Sequence, residues 1–599
     1  MSNFLVVLPV VEGAVDTSGL FDRGMKLAVQ PLRQHEHTRL SFDWARVAAF
    51  SRGKNTGTPV AQHEASGSWI MAAGTWFHRD GDASGSEEQL LNRYLNTGAL
   101  GLARELEGFF CIVIGDGRSK TTWLITDLVG SCHAFMRTLD QATVLSGSSR
   151  LLAGLAPALL DPVGCQEFLR TGVIYENRTL YRDVQKLAPA TVYRFEQGRL
   201  ADQQRYWSIG QIADQPLSAH EAPDALWAAI TTAARRIGKI YPHPVCDLTG
   251  GYDSRALFAA LRGAEIPLTT TVTGAEHSPD VVVSQGLASL CDVPHIVLNP
   301  TQTPTFSDIE DALALTDGEC DVVEYARIMQ VHRTLQMKFD ISLNGSFGEV
   351  ARGYWWELLL PFTGAHEALN TENLARKRFA TAHNDETIFP SSTRLNLTAH
   401  FRDIINRTND GLTAMPNTLQ MDHAYLMMRM HRWQGRLASS TDQIWPCLSP
   451  FIFRSVLEVM LRTEPKGRKS SLLIREMLAR YQPHIARYPM EHGYPAIPAT
   501  WRTWPLFWPL LPFYGGKIWK KATKRLRGVS MSAKDETARD VLWKDPRVEK
   551  LLTSNLLGDT SLFDVERLHQ FIEQSRSPQF SYDAQWTRLL SLCMVLASK

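Results

Sequence analysis

The pattern of apolar and polar positions differs between the two parts of the chain. In the first third, short apolar runs are separated by turns rich in Gly, Asp and Asn, which is typical of β-strands joined by tight connections. The predicted strands are 69–73, 109–114, 122–126 and 191–195, and the apolar N-terminus (1–11) predicts a first core strand. Helical spacing occurs near 86–94 and 165–171. This pattern predicts an α+β sheet sandwich.

After a polar, Pro-containing stretch at 208–223, apolar runs alternate with helical patterns. The predicted strands are 245–248, 268–272, 295–298 and 340–343, and the predicted helices include 225–230, 280–290 and 325–337. Such alternation predicts a doubly wound α/β parallel sheet, with a ligand beyond the carboxyl ends of its strands. From about residue 400 the pattern is mainly helical. We therefore predict two domains, residues 1–212 and residues 213–599.

Composition narrows the function classes. The chain has 599 residues, which is enough for two or more domains. Its 63 basic and 62 acidic residues leave a net charge of +1, so the overall charge gives no indication of nucleic-acid binding. Its eight cysteines are scattered without a Cys-x-x-Cys pair, which argues against a structural zinc site and a disulfide framework. There is no basic segment before the apolar N-terminus and no run of about 20 apolar residues. We expect a cytoplasmic protein.

The most informative stretch, residues 246–255, reads Cys-Asp-Leu-Thr-Gly-Gly-Tyr-Asp-Ser-Arg and joins a predicted strand to a helix expected to begin at about Arg255. Glycines let backbone N–H groups approach a ligand, and a helix N-terminus favours anions. A carboxylate beside bound phosphates suits Mg²⁺. The sequence therefore predicts a polyphosphate site here. The alternative interpretation is an ordinary Gly-Gly turn.

This stretch is not a Walker motif. It resembles the pyrophosphate loop Ser-Gly-Gly-x-Asp-Ser of the asparagine synthetase-like ATP pyrophosphatases, with Thr249 in place of the first Ser. The resemblance implies that ATP and Mg²⁺ bind here and that pyrophosphate leaves when a carboxylate attacks the α-phosphorus. The cofactor-binding residues it implies are Leu248, Thr249, Gly250, Gly251, Asp253 and Ser254, with Asp253 as both a catalytic and a metal-binding residue.

A second Gly-rich turn follows the fourth predicted strand. Residues 344–354 read Asn-Gly-Ser-Phe-Gly-Glu-Val-Ala-Arg-Gly-Tyr, where asparagine synthetases have Gly-Glu-Gly-x-Asp-Glu-Leu-Phe-Gly-Gly-Tyr. This register implies a catalytic and metal-binding role for Glu349 and nucleotide contacts at Gly345, Ser346 and Gly348. Gly345 and Gly348 stand where the family has two further acids. Alternatively, Glu349 is a helix-capping acid.

Three further segments have open interpretations. Asp280, in Ser-Pro-Asp at 278–280, is either an acid near the nucleotide or part of a helix N-terminus. Residues 317–327 either line an acyl pocket or form a surface helix. The family also uses a C-terminal Lys for catalysis, and Lys469 is the candidate, although residues 466–469 also fit a solvated basic turn.

The N-terminal part resembles the glutaminase half of class II amidotransferase-fused synthetases, which has an Ntn-type sandwich fold. The order of the segments at 106–116, 126–130, 146–152 and 187–190 carries this resemblance. Such glutaminases need a Cys directly after the initiator Met, whereas this chain has Ser2, and its first cysteine is Cys111. We therefore expect an inactive glutaminase-like domain that has a structural or partner-binding role.

Within the superfamily, the Thr-Gly-Gly-x-Asp-Ser-Arg and Gly-x-x-Gly-Glu-Val-x-Arg-Gly patterns look most like those of lasso peptide cyclases. That resemblance implies that an Asp or Glu side chain of a precursor peptide is joined to the peptide's N-terminal amine. It also implies a partner protein that recognises or processes the leader peptide. Three alternatives stay open: an amide ligase that uses ammonia or an amino sugar, a β-lactam synthetase-like cyclase, and a non-catalytic scaffold that binds nucleotide or peptide.

One aromatic segment has no place in these patterns. Residues 501–514 read Trp-Arg-Thr-Trp-Pro-Leu-Phe-Trp-Pro-Leu-Leu-Pro-Phe-Tyr, and a basic run follows at 517–527. We expect a buried aromatic loop followed by a solvated helix. The alternative is a surface that touches a membrane or an apolar peptide.

Overall fold

The computed structural model describes residues 3–10, 17–32, 35–51, 60–79, 81, 86–300, 303–508, 537–554, 556–557 and 561–598. The strands are β1 Asn3–Pro9, β2 His35–Ser41, β3 Arg46–Ser51, β4 Val60–His63, β5 Ser68–His78, β6 Leu106–Asp116, β7 Thr121–Thr126, β8 Phe135–Thr138, β9 Ala142–Ser146, β10 Val184–Lys186, β11 Thr191–Glu196, β12 Arg199–Arg205, β13 Pro244–Asp247, β14 Thr269–Thr273, β15 His295–Leu298, β16 Ile341–Leu343 and β17 Cys447–Leu448.

The α-helices are α1 Ser18–Leu32, α2 Glu87–Glu105, α3 Ser149–Gly154, α4 Pro162–Thr171, α5 Ala222–Ile240, α6 Tyr252–Gly263, α7 Pro279–Leu290, α8 Phe306–Thr316, α9 Val322–Leu335, α10 Thr371–Leu374, α11 Leu397–Thr408, α12 Asn417–Ala424, α13 Gly435–Asp442, α14 Arg454–Arg462, α15 Pro465–Arg468, α16 Leu472–Tyr481, α17 Pro483–Arg487, α18 Ala538–Leu542, α19 Pro546–Thr553, α20 Val565–Gln574 and α21 Asp583–Ala597. Two π-helical segments, Ala375–Phe379 and Tyr425–Gln434, continue α10 and α12.

The N-terminal part is a sandwich of two antiparallel six-stranded sheets, with strand orders β10-β8-β9-β1-β3-β2 and β12-β11-β7-β6-β5-β4. Strand β1 lies within the first sheet and alternates its side chains between two cores, as the period of two requires. Phe4 and Val6 pack in the core between the sheets, and Leu5 and Val7 pack against α1 and α3. The predicted sandwich is therefore confirmed.

The C-terminal part contains a five-stranded sheet in the order β15-β14-β13-β16-β17, and every neighbouring pair is parallel. The chain runs outward from β13 to β15 on one side and then returns to build β16 and β17 on the other. The topology therefore reverses between β13 and β16, and ligands of such sheets bind beyond the carboxyl ends at this switch point. The sequence patterns predicted four of these strands but not the two-residue β17.

The domain boundary at residues 212 and 213 stays a prediction. The polar stretch between the two parts contains the short 3-10 helix Ile209–Ile212 and then leads into α5. The two parts contact each other closely. For example, the backbone N–H of His133 donates to the Ser439 hydroxyl at 2.8 Å, and Arg236 forms an ion pair with the fully buried Glu107.

Within the described ranges, every helix is too short or too polar to cross a bilayer. The eight cysteines form no disulfide with one another in the described part of the chain, and seven of them are buried.

A buried arginine fixes the helix that follows β13. Arg255 is 0 % exposed, and its guanidinium donates to the backbone carbonyls of Ile485, Tyr488 and Pro489 at 3.2, 2.6 and 3.0 Å. Its helix, α6, begins at Tyr252, three residues before the predicted start. Asp253, the acid that follows the two glycines, thus lies in the first turn of α6, where the helix dipole stabilises an anion.

Replacing Arg255 by Met should lower the free energy of unfolding by about 3–5 kcal/mol, because three carbonyls, in buried and partly buried bonds, lose the donor that they share. Arg262→Met, on the exposed end of the same helix, is the matched control, since Arg262 makes a single bond to the carbonyl of Cys291. Urea unfolding followed by circular dichroism checks this. Equal stability of the two variants would contradict the anchoring role of Arg255.

Candidate active site

Two Gly-rich turns meet at the switch point of the parallel sheet. The turn 248–251 connects β13 to α6, and the turn 344–347 connects β16 to the 3-10 helix Gly348–Arg352. The structure thus brings together the two Gly-rich segments that were predicted to bind the nucleotide.

The contact between these turns depends on glycine. A Cβ atom at Gly345 would lie 2.7 Å from the backbone nitrogen of Ser254, and one at Gly348 would lie 2.8 Å from the Cβ of Asp253. Real Cβ atoms do not make contacts this short, so a larger residue at either position would separate the turns. Between the two glycines, Phe347 has φ of +70°, a strained conformation for a bulky side chain that is typical of functional sites.

The predicted phosphate loop is held by its own hydroxyl groups. The Ser254 hydroxyl lies 2.9 Å from the Thr249 hydroxyl and accepts from the Thr249 N–H at 3.0 Å. The Gly251 N–H donates to the Thr249 hydroxyl at 3.3 Å, and the Gly250 N–H donates to the Asp280 carboxylate at 2.8 Å. Asp280 therefore binds the loop itself. Its side chain does not cap the N-terminus of α7.

Two acids face each other across the site. Asp253 forms an ion pair with Arg352 through Oδ2 at 2.8 Å, whereas its Oδ1 is buried and without a hydrogen-bond partner. The Oε2 atom of Glu349 is also buried without a partner. Burial and the nearby Glu349 charge raise the pKa of Asp253 to about 7, and Arg352 opposes this shift. The site thus holds two carboxylate oxygens with unfilled acceptor capacity.

These oxygens fit a divalent cation. Among the described residues, no group of three or more Asp, Glu, His and Cys side chains is arranged to hold a metal ion. Mg²⁺ usually binds through one or two carboxylates together with substrate phosphates and water, so a pair is sufficient. Asp253 and Glu349 are the residues that would hold it.

A further set of side chains supports the Gly348–Arg352 turn. Arg468 is buried, forms an ion pair with Asp422 at 2.6 Å and donates to the backbone carbonyl of Val350. The indole N–H of Trp356 donates to the other Asp422 oxygen at 3.1 Å. The Tyr425 hydroxyl lies within hydrogen-bonding reach of the Glu349 carboxylate, and burial together with this acid raises the pKa of Tyr425 well above its ordinary value.

The structure places the turn that contains Lys469 beside the site, but it gives the Lys469 side chain no role there. Its 3-10 turn, Lys469–Ser471, packs against the Gly348–Arg352 turn, and Ser470 and Ser471 adopt left-handed conformations with φ of 57° and 60°. The Lys469 side chain is exposed and has no ion-pair partner within the described ranges. The cation that contacts an acid of the site is Arg352, and the catalytic role of Lys469 stays a prediction.

Leu248 and Ser346, which were also predicted to contact the nucleotide, both form hydrogen bonds through their backbones. Leu248 is fully buried, and its N–H donates to the carbonyl of Thr271 at 2.9 Å. The Ser346 carbonyl accepts from the Ser449 hydroxyl, and the Ser346 N–H donates to the Asn344 side chain at 3.1 Å. Leu248 is thus a core residue at the end of β13, and Ser346 lies inside the second turn.

Most of the segment 317–327 is buried, and Glu324 and Arg327 are its exposed residues. Asp317 and Glu319 are buried, and their carboxylates accept from Ser148 and Ser149 of the N-terminal part at 2.7 Å each. Lys186 lies 3.6 Å from Glu319. These two acids therefore belong to the contact between the two parts of the chain.

The expectation of a buried aromatic loop is wrong for the residues that can be described. Trp501, Trp504 and Trp508 are 83 %, 60 % and 67 % exposed, and only Phe507 of this group is buried. Residues 509–514 and the basic run at 517–527 lie outside the described residues.

A match to a known protein family covers most of the N-terminal part of the chain. Residues 71–207 match the family model of the glutamine amidotransferase domain. The N-terminal part is therefore a glutamine amidotransferase-like domain. Ser2, in place of the nucleophilic Cys, lies outside the described residues, so the predicted loss of glutaminase activity stays a prediction. A search of curated proteins finds no match.

Among solved structures, the chain is similar to the glutamine phosphoribosylpyrophosphate amidotransferase from B. subtilis complexed with ADP and GMP, at 9 % identity and a TM-score of 0.22, with 49 % of this chain and 65 % of that chain covered. A second structure, described as the allosteric regulatory enzyme of purine biosynthesis, has 9 % identity and a TM-score of 0.21, with 46 % and 66 % covered. The chain spans just under two thirds of each. Scores this low carry no argument about the overall fold.

The sequence patterns did not indicate Arg352, Tyr425 or the buried Arg468 as residues of the site. Arg352 stands within the quoted second motif, and its charge next to Gly353 was an available signal. Tyr425 carried no such signal, because helical packing alone brings it to Glu349 from a distant part of the chain.

The raised pKa of Asp253 predicts a pH dependence of stability. Between about pH 4 and pH 7 the unfolded chain has lost this proton and the folded protein has kept it, so the wild type should lose stability relative to Asp253→Asn as pH rises, by at most about 1.4 kcal/mol per pH unit. Urea unfolding at a series of pH values measures the difference. Arg352→Gln should extend the loss to higher pH, because Arg352 lowers the pKa of Asp253. Parallel stability curves for the wild type and Asp253→Asn would disprove the shift.

Proposed function

We propose that the protein is an ATP-dependent, AMP-forming carboxylate–amine ligase of the asparagine synthetase type. The observation that carries this proposal is the pair of buried, unpartnered oxygens, Asp253 Oδ1 and Glu349 Oε2, on two glycine turns at the switch point of a parallel sheet. The amidotransferase-like domain at 71–207 supports it, since such domains accompany enzymes that form C–N bonds.

In the first step, an oxygen of the substrate carboxylate attacks the α-phosphorus of ATP. The bond to the β,γ-pyrophosphate breaks, which gives an acyl adenylate and pyrophosphate. The hydroxyls of Thr249 and Ser254 and the N-terminus of α6 bind and orient the phosphates. Mg²⁺, held by Asp253 and Glu349, would neutralise phosphate charge.

In the second step, an amine attacks the acyl carbon, a C–N bond forms and AMP leaves. The amine gives up one proton, which Glu349 would accept, and Tyr425 would orient the carboxylate. Arg352 holds Asp253 and keeps a positive charge beside the site. Holding the acyl group and the amine together supplies much of the rate.

For the substrate, we propose a precursor peptide whose Asp or Glu side chain is joined to its own N-terminal amine, which gives a macrolactam of the lasso type. Support comes from the resemblance of the two glycine motifs and from Ser2, which stands where such glutaminases need a Cys directly after the initiator Met. A partner that recognises or processes the leader peptide would deliver this substrate.

A second candidate, a non-catalytic scaffold that binds nucleotide or peptide, is favoured by one observation. The Gly250 amide is bonded to Asp280 and the Asp253 carboxylate to Arg352, so part of the loop is satisfied without a ligand. Catalysis requires that the phosphates displace the Asp280 carboxylate from the Gly250 amide. The two candidates differ in whether ATP is consumed.

Asp253→Ala should abolish acid-dependent exchange of pyrophosphate into ATP, because the Mg²⁺ that neutralises the phosphates would lose one of its two carboxylates, whereas Asp340→Asn should leave the exchange unchanged. Asp340 is the matched control, since it lies at the amino end of β16 and accepts only the His243 N–H. Measurement of labelled ATP separates the variants. Absence of exchange in the wild type would favour the scaffold, and formation of ADP would contradict the ligase.

Glu349→Gln should reduce amide formation by about 10²–10⁴-fold and affect pyrophosphate exchange less, because the Gln side chain keeps an oxygen for Mg²⁺ but cannot accept a proton. Candidate precursor peptides are incubated with ATP, and mass spectrometry detects a product that is lighter by one water. Tyr425→Phe should give a smaller loss, since it leaves the carboxylate in place. An unchanged yield with Glu349→Gln would remove Glu349 from the mechanism.

A further inference from the structure

A second cavity, of about 360 Å³, lies between the N-terminal domain and the helices α11 and α12 with the π-helix Tyr425–Gln434. It has no lining residue in common with the site around Asp253. Four cationic side chains line it, Lys186, Arg205, Arg407 and Arg432, whereas the only acids in its lining are Glu176 and Asp410.

Arg432 has a buried hydrogen-bond donor without an acceptor. The residue is 8 % exposed, and its Nη1 atom is fully buried and has no hydrogen-bond acceptor. Within the described ranges it forms neither a hydrogen bond nor an ion pair. Burial lowers the pKa of Arg432 to about 10, although more distant acids such as Glu167 oppose the shift. A buried guanidinium without acceptors is costly, and a bound anion removes this cost.

The remaining charges leave the cavity positive. Arg407 and Arg178 both form ion pairs with Glu176, at 2.7 and 3.4 Å, so this acid is already neutralised. The Asp410 side chain is exposed at the edge of the cavity, and Arg205 is exposed without an ion-pair partner in the described part of the chain.

Lys186 adds a conditional positive charge. Its ammonium lies 3.6 Å from Glu319, and burial lowers the pKa of Lys186 to about 7. It is therefore partly protonated near neutral pH, and an anion in the cavity would favour its charged form.

The local backbone is unusual at this place. His431 and Arg432 lie in the π-helix, a rare conformation that occurs frequently at functional sites. The Nδ1 atom of His431 is 2.8 Å from the carbonyl of Gly130, and its own carbonyl is 2.9 Å from the Nε2 atom of His133. These bonds to the N-terminal domain hold the π-helical segment against the cavity.

We propose that this cavity binds a small organic anion, whose carboxylate or phosphate group is held by Arg432 and Arg205. The side chains of Ile404, Met427 and Met428 also line the cavity and would contact the carbon skeleton of the ligand. The volume lies near the lower end of the range for small-molecule sites, so the ligand is of the size of a dicarboxylic acid or an amino acid.

Isothermal titration of the full-length protein with succinate and, separately, with inorganic phosphate tests the proposal at constant ionic strength. The wild type should bind at least one of the two, which also distinguishes a carboxylate ligand from a phosphate ligand. Arg432→Gln should weaken binding about tenfold or more, because it removes a charge-assisted contact. Arg429→Gln is the matched control. It lies on the same π-helix, but its guanidinium stacks 3.9 Å from the centre of the Trp433 ring, and binding should be unchanged.

Arg205→Gln provides a second variant in case Arg432→Gln does not fold, because Arg205 is exposed and its replacement leaves no buried gap. It should weaken binding severalfold. Phosphate can also bind at the Thr249 loop, so Ser254→Ala is measured in parallel. The proposal is overturned if neither anion binds the wild type at millimolar concentration, or if Ser254→Ala weakens binding while Arg432→Gln and Arg205→Gln do not.

Discussion

Asp253 and Glu349 come together because two glycines leave no Cβ atom between the turns that carry them. The backbone of Gly345 touches the first turn of α6, and Gly348 touches Asp253 itself. Any side chain at these positions would push the 3-10 helix Gly348–Arg352 away from the sheet edge. The chemistry proposed for this site therefore requires glycine at positions 345 and 348 as well as the two carboxylates.

Comparison with a neighbouring buried acid shows what is unusual about Asp253. Asp422 is also buried, yet both of its oxygens have donors, from Arg468 and from Trp356. Asp253 has a donor for one oxygen, and Glu349 also keeps one oxygen without a partner. The same fold thus satisfies a structural carboxylate completely and leaves two carboxylates of the candidate site incomplete. Because an unpaired buried oxygen is costly, a cation bound to Asp253 and Glu349, as proposed above, would remove this cost.

Local patterns predicted the elements of the site better than its contacts. The apolar runs before Thr249 and Asn344 predicted β13 and β16, and the alternation of strands and helices predicted that both end at the same edge. Neither pattern contains information about side chains that arrive from distant helices, which is why Tyr425 and Arg468 were not found. The short β17 was missed because two residues are too few to show a period. The exposed Trp501 was misjudged, since composition alone does not tell a buried aromatic group from an exposed one.

The π-helix Tyr425–Gln434 connects the two sites described above. Its first residue reaches Glu349, and near its other end His431 and Arg432 face the N-terminal domain. A π-helical segment has a hydrogen-bond register different from that of the α-helices on either side, and keeping this register requires contacts that hold it. The bonds of His431 to Gly130 supply such contacts from the N-terminal domain. Under the proposed function, the amidotransferase-like domain would therefore act on the candidate site, because it contacts the segment that carries Tyr425. An anion bound to Arg432 would act on the same segment, and any effect of that anion on the Glu349 site would be matched by an equal effect of substrate on anion affinity.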